Sequence, residues 1–192
     1  AGKAHAVVLD KTGTITQGEP AVVAIEPEEG TSASRLVSLA MAVEVQSSHP
    51  LAQAVVSFAS SHGVKPAGAI SDFRELPGEG ISAKHEGCEV LAGNMRLMQT
   101  QGIAVANGNQ RAEALADAGA TPLIFAEDGR FIGIIAVADK IKPTSAHAIA
   151  ELAALDIQTV MLTGDNERTA AAVQQIAGVN RVLAGVEPSG KE

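Results

Sequence analysis

The apolar run Ala6-Val7-Val8-Leu9 stops at a carboxylate, Asp10, and reads as a short buried strand. From Thr31 or Ser32 onward, Leu36, Leu39, Ala40 and Val43 recur at helical spacing, the stripe of an amphipathic helix. A second helix is predicted to start at Pro50, a favoured first helical position, with Leu51, Ala54, Val55 and Phe58 on one face and Gly63 past its end. Together they make a helical hairpin. Ile70 to Leu76 then reads as a strand, followed by the turn Pro77-Gly78-Glu79-Gly80 and two short strands around Glu86-Gly87. Short helices are expected near Asn94 to Thr100 and Asn109 to Ala118. Pro122 to Glu127 and Arg130 to Val137 flank Asp128-Gly129, a dipeptide suited to a type I′ hairpin turn. From Thr144 the pattern changes to a helix with Ile149, Leu152 and Ala153 inward, a strand from Ile157 to Leu162, a helix from Asn166, and a strand from Arg181 to Ala184.

Helix and strand in alternation imply a parallel sheet, whereas the stretch from about Ala21 to Val137 implies an antiparallel sheet with helices. The economical architecture is therefore α/β. A Rossmann-like domain begins with residues 1–16 and resumes at 138–192, interrupted by an inserted α+β domain over 17–137. Gln17-Gly18-Glu19-Pro20 breaks the pattern and leads, through a short strand at Val22 and Val23, out of the first domain, so a hinge is expected there. A chain of 192 residues can supply two cores.

Charge and cysteine usage narrow the function classes. The 22 acidic and 14 basic residues give a net charge of −8, which argues against nucleic acid as a partner and against a polybasic membrane anchor. Cys88 is the only cysteine, so no disulfide and no thiolate metal site can form within one chain, and a reducing cytoplasm fits. Runs such as Ile132 to Ala138 fall short of the ~20 residues of a membrane helix, and no signal peptide is expected. His5, His62, His85 and His147 lack ligand spacing and read as surface histidines; Cys88 reads as a small core or edge residue, and Glu26 to Gly30 as a solvated acidic turn.

Chemistry concentrates where strands end. In an open α/β sheet, ligands bind beyond the carboxyl ends of the strands, so Asp10, at the head of Asp10-Lys11-Thr12-Gly13-Thr14-Ile15-Thr16, is a candidate nucleophile forming an aspartyl phosphate. Lys11, Thr12 and Thr14 would neutralise and orient the phosphoryl group, and Gly13 would let backbone approach it. Thr12 stands where a second acid would activate water, so the phosphoenzyme is expected to persist. Met161-Leu162-Thr163-Gly164-Asp165-Asn166 repeats the logic: Thr163 can donate to phosphoryl oxygens, Gly164 turns the chain, and Asp165 holds the loop or binds a donor.

The first of these motifs resembles the signature of the P-type ATPases, and the second and Pro188-Ser189-Gly190-Lys191 resemble further elements of that family. The resemblance implies a haloacid-dehalogenase-like phosphorylation domain split by a nucleotide-binding domain, transfer of the ATP γ-phosphoryl group to Asp10, and Lys191 against the phosphate. It also implies Mg²⁺ held by Asp10 and the Thr12 carbonyl. Asp139-Lys140-Ile141-Lys142-Pro143 resembles the segment that re-enters the phosphorylation domain, with Asp139 serving nucleotide or hinge or simply capping a turn. Ser48-His49-Pro50-Leu51 matches the His-Pro dipeptide of the heavy-metal-transporting members, with Ser48 replacing their usual acid. With Glu44, Gly78, Gly80 and Asn94 it implies an adenine pocket: Glu44 accepting from the amino group, the glycines admitting the purine, and Asn94 reaching ribose or phosphates. As a whole, the resemblance implies the ATP-binding region of a copper exporter, or of a zinc, cadmium or cobalt exporter, on the cytoplasmic face of an inner membrane. Its partners would be its own transmembrane and actuator domains, and the transported metal would bind elsewhere. The family's GDGxND motif does not occur in these 192 residues, which implies weakened turnover, and the stretch itself is expected to be soluble. A haloacid-dehalogenase-like phosphatase and a pure nucleotide-binding module are the other classes in play, the phosphatase disfavoured by Thr12.

Overall fold

The structure, a computed structural model, describes residues 5–186. The chain divides into two compact units, one comprising Ala1–Pro20, Ala116–Thr121 and Asp139–Glu192, the other Ala21–Leu115 and Pro122–Ala138.

In the first unit, β1 (Ala6–Asp10), β8 (Gln158–Leu162) and β9 (Arg181–Leu183) form a parallel sheet in the order β1-β8-β9. The register pairs Asp10 with Leu162 and Leu162 with Leu183, so the three strands end together. Two helices, α5 (Ser145–Ala154) and α6 (Glu167–Ala177), provide the crossovers that parallel strands need. Asn166 caps α6 by accepting the Thr169 amide, and Gly178 ends it in a left-handed conformation. Ile15, Ile149, Met161, Val173, Ala177 and Val179 make the core. Of the expected inward face of α5, Ile149 is buried and Leu152 half-buried, but Ala153 is exposed.

The second unit is built on a six-stranded sheet in the order β2-β7-β6-β5-β4-β3. Its strands are β2 (Thr16–Pro27), β3 (Ile70–Leu76), β4 (Gly80–His85), β5 (Cys88–Gly93), β6 (Thr121–Glu127) and β7 (Arg130–Ile141). The β3–β4, β4–β5 and β5–β6 pairs are antiparallel. The helical hairpin, α1 (Ala33–Glu44) and α2 (Pro50–Ser61), packs Leu36, Leu39, Val43, Ala54 and Val55 against Ala83, Val90 and Phe125 of the sheet. A second cluster places α3 (Met95–Thr100) and α4 (Gly108–Asp117) around Leu97, Met98, Ile124 and Ile134.

Four further expectations change. β1, read as a buried strand, holds no buried residue and leaves Val8 59% exposed, because it is an edge of the parallel sheet among the described residues. The short strand at Val22 and Val23 is part of a twelve-residue β2 that runs through Pro20, which is tolerated because β2 is an edge strand. The Glu26 to Gly30 loop is not merely solvated, since Arg111 donates to Glu28 and lies 3.8 Å from Glu26 while its guanidinium sits over Phe131. His85 is not a surface histidine: it is 3% exposed, on the inward face of β4 with Ile81 and Ala83, its ring nitrogens within 3.1 Å of the Ala67 carbonyl and 3.3 Å of Glu127.

Gly80 is where two strands approach most closely. A Cβ there would lie 2.2 Å from the Ala92 carbonyl oxygen and 2.5 Å from Gly93 Cα, at a φ of +147°. Gly78, at φ +69°, has open space around it. Gly80→Ala is therefore expected to destabilise the fold by about 3 kcal/mol and Gly78→Ala by about 1 kcal/mol. Urea unfolding of the two variants measures this; equal losses would remove the close-approach account of Gly80.

Candidate functional site

Asp10 ends β1, and Thr163 lies one residue beyond the neighbouring β8. Both stand at the carboxyl end of the parallel sheet, where loop amides and hydroxyls are free of strand pairing. The chain leaves Asp10 through a tight turn. Thr12 at φ −73°, ψ 123° and Gly13 at φ 75°, ψ −13° take the two central positions of a type II turn, the second of which requires glycine. The Thr16 amide closes the loop on the Lys11 carbonyl.

Lys11 Nζ donates to Asp165 Oδ2 at 2.6 Å, with side chains only 12% and 11% exposed. Asp165 is thus the fixed counter-charge of Lys11, and Thr121 Oγ1 stands 3.4 Å from its other oxygen. Thr163 is buried, its amide donating to the Leu183 carbonyl and its hydroxyl accepting from the Asp165 amide. The Gly185 amide donates to the Asp165 carbonyl, so the Thr163-Gly164-Asp165 loop is held from both sides. Lys191 lies outside the described residues.

The returning segment braces the turn that follows Asp10, a role that nothing in the sequence assigns to Lys142 or Ser145. Lys142 Nζ donates to the Gly13 carbonyl at 2.5 Å, and both the Lys142 amide and Ser145 Oγ donate to the Ile15 carbonyl. Asp139 accepts the amides of Gly18 and Glu19 at 3.1 to 3.2 Å and the hydroxyl of Thr16 at 2.5 Å. That hydroxyl has one proton, and Lys11 O is also 3.0 Å away, but the shorter, charge-assisted bond to the carboxylate takes it. The only sequence cue was an acid and two lysines ahead of Pro143.

The second set of candidates belongs wholly to the other unit. His49 caps α2: its Nδ1 accepts the Leu51 amide at 3.2 Å, which leaves the proton of the neutral ring on Nε2, facing outward as a donor. Its own amide donates to Ser47 Oγ, and Ser47 Oγ in turn donates to Glu75 at the end of β3. The α1–α2 loop is thereby tied to the strand that leads to Gly78. Asn94 caps α3 through the Leu97 amide and donates Nδ2 to the Gly78 carbonyl at 2.8 Å, so its side chain first of all fixes the glycine turn. Glu44, at the end of α1, is 4% exposed, and burial pushes its carboxyl up to about 7.

Among the described residues, no three His, Cys, Asp or Glu side chains gather to hold a metal ion, and no helix is long and apolar enough to cross a membrane. A divalent ion bound by one carboxylate and a backbone carbonyl needs phosphate oxygens to complete its shell, and the donors at Asp10 and Thr12 are of the hard oxygen type that Mg²⁺ takes.

A copper-transporting ATPase of Rhizobium meliloti (strain 1021) is 41% identical over 188 residues, which cover 98% of this chain and 23% of that protein. A zinc-transporting PIB-type ATPase solved in its E2.Pi state is 37% identical with a TM-score of 0.69, over 99% of this chain and 30% of that one. The N-domain of a copper-transporting P-type ATPase, 25% identical with a TM-score of 0.51, covers 62% of this chain and 98% of that domain. The chain thus spans about a quarter of the curated relative's length, and P-type ATPases are its relatives over nearly all of its own. The family model described as a hydrolase, haloacid dehalogenase-like hydrolase, matches residues 4–192, and with Asp10 and Thr163 at the carboxyl end of a parallel sheet the chain belongs to that family.

Proposed function

We propose that this chain is the ATP-binding and phosphorylation region of a heavy-metal-exporting P-type ATPase, with residues 1–16 and 138–192 as the phosphorylation domain and 17–137 as the nucleotide-binding domain. The observation that carries the reading is the placement of Asp10 beside Thr163, with Lys11 and Asp165 paired next to them. Asp10 attacks the γ-phosphorus of ATP, ADP leaves, and an aspartyl phosphate remains. Lys11 uses one of its three donors on Asp165 and offers the others to phosphoryl oxygens. The Thr163 hydroxyl, which accepts from the Asp165 amide and keeps its own proton to donate, would serve the same group, with Lys191 assigned there by sequence alone. Mg²⁺ held by Asp10 and the Thr12 carbonyl would neutralise charge on the transferring phosphate.

Glu44, His49, Gly78, Gly80 and Asn94 take the nucleotide. The outward Nε2–H of His49 and the fixed glycine turn support this, since a purine needs a donor at its rim and a backbone surface without side chains. Copper is the proposed cargo because the Rhizobium meliloti relative and the N-domain neighbour are copper transporters, although a zinc transporter is also 37% identical. The transmembrane and actuator parts of such a transporter would be the partners of this chain, on the cytoplasmic side of the membrane.

His49→Gln is expected to weaken ATP binding by about 1 to 3 kcal/mol, while Asp10→Asn leaves it unchanged. Calorimetry on both measures this, and undiminished affinity in His49→Gln would remove the pocket assignment. In the full-length transporter, Asp10→Asn keeps the shape of the site but has no nucleophile. Acid-quenched labelling with γ-labelled ATP should then give a hydroxylamine-sensitive phosphoprotein in the wild type and none in the variant; label at the wild-type level in Asp10→Asn would overturn the assignment of Asp10.

A further inference from the structure

Ala116–Thr121 leads from the end of α4 to the first residue of β6, yet it falls in the compact unit that holds Asp10 and Asp165. Gly119, at φ +83°, donates its amide to the Ala116 carbonyl, and a Cβ there would lie 3.8 Å from both Val173 and Ile176 of α6. Thr169, Val173 and Ile176 stand at i, i+4 and i+7 on that helix, so the segment lies along one of its stripes. Thr169 is the anchor. It is 1% exposed and Ala120 4%, and its hydroxyl donates to the Ala120 carbonyl at 2.9 Å while accepting from Asn166 Nδ2 at 3.0 Å. Both groups are out of water, so neither has an alternative partner in solvent. The ion pair of Arg168 with Asp117 joins the same two elements, but at 46% and 59% exposure it adds little. One residue beyond the anchor, Thr121 Oγ1 stands 3.4 Å from Asp165 Oδ1, while Lys11 Nζ holds Oδ2 at 2.6 Å. A single ammonium contact leaves a carboxylate free to turn about its Cβ–Cγ bond; a second contact on the other oxygen sets its plane. At 3.4 Å the hydroxyl supplies little energy, and its effect is on orientation.

We propose that Thr121 is a positioning residue of the phosphorylation site: held in place by the Thr169–Ala120 hydrogen bond, it orients the Asp165 carboxylate and, through it, the Lys11 ammonium. This rests on the reading of Asp10 as the phosphoryl acceptor. Sequence order puts Ala116–Thr121 inside the nucleotide-binding domain, but in this role the segment works with the phosphorylation domain, the unit its contacts assign it to. Thr121 itself touches neither nucleotide nor phosphate. Its loss therefore slows phosphoryl transfer, which depends on alignment, and leaves ATP binding as it was.

The test compares Thr121→Val, which keeps the shape and removes the donor, with Thr121→Ser, which keeps the donor. In the full-length transporter at saturating ATP, rapid-quench labelling should show the phosphoenzyme forming about fivefold more slowly in Thr121→Val and at the wild-type rate in Thr121→Ser. Calorimetry should give all three proteins the same ATP affinity. Undiminished labelling in Thr121→Val overturns the proposal. An equal slowing in Thr121→Ser, which would assign the effect to packing, overturns it as well, and so does a loss of ATP affinity that accounts for the slowing. A second measurement needs no nucleotide. The Asp165 and Gly185 amides hold the loop, on Thr163 Oγ1 and the Asp165 carbonyl respectively. Their hydrogen exchange should be about fivefold faster in Thr121→Val than in wild type or Thr121→Ser, and unchanged exchange refutes the orienting role. Absence of label in every protein, wild type included, would instead sink the reading of Asp10 as acceptor, and this inference with it.

Discussion

The carboxylate of Asp139 is the fixed point about which the candidate catalytic loop is organised. It accepts the Thr16 hydroxyl and the amides of Gly18 and Glu19, residues 123, 121 and 120 positions away in sequence. Extending the intervening loop adds only logarithmically to the cost of closing it. The chain reduces that cost further through its topology, because β2 and β7 are neighbours in the six-stranded sheet and deliver their outer ends side by side. Thr16 begins β2, and Asp139 lies near the end of β7. A whole antiparallel unit can thus stand between Asp10 and the segment that braces it without loosening the brace.

From that clasp the remaining geometry derives. Thr16, fully buried, fixes the end of the turn that starts at Lys11, and Lys142 and Ser145 hold the carbonyls of Gly13 and Ile15. The turn is left with little freedom, and Asp10 at its head inherits that rigidity. Positioning of this kind matters where the protein supplies little covalent chemistry of its own, since phosphoryl transfer depends on alignment and charge neutralisation.

Much of this was legible in the sequence because it is local. The α1 and α2 stripes, the helix starts at Ser32, Pro50, Asn94 and Asn166, and the Asp128-Gly129 hairpin depend on residues within a few positions of one another. Motif order placed Asp10 and Thr163 at strand ends for the same reason. What escaped was settled by distant partners. Pro20 and Gly18 look like strand breakers, and only the edge position of β2 makes them compatible with a long strand. His85 looks like any solvated histidine until the alternation along β4 turns it inward onto Glu127 and the Ala67 carbonyl. The employment of Lys142 on the Gly13 carbonyl spans 129 residues and has no local signature.

The two most enclosed candidate carboxyl groups meet their desolvation in opposite ways, and the difference stems from what each faces. Asp165 is 11% exposed and is held by Lys11 at 2.6 Å, so the pair enters the loop as a compensated dipole. Removing either partner would leave a poorly hydrated charge, which makes the pair interdependent with the loop it joins. Glu44 has no cation within reach, and the least costly way to bury an unpaired carboxyl group is to leave it protonated. A neutral acid is a donor as well as an acceptor, whereas a salt-bridged carboxylate is an acceptor alone. The same functional group is therefore a salt-bridged counter-charge in one unit and a buried acid with a raised pKa in the other. Which of the two it becomes is decided by its surroundings, the ammonium group of Lys11 in one case and burial without a cation at the end of α1 in the other.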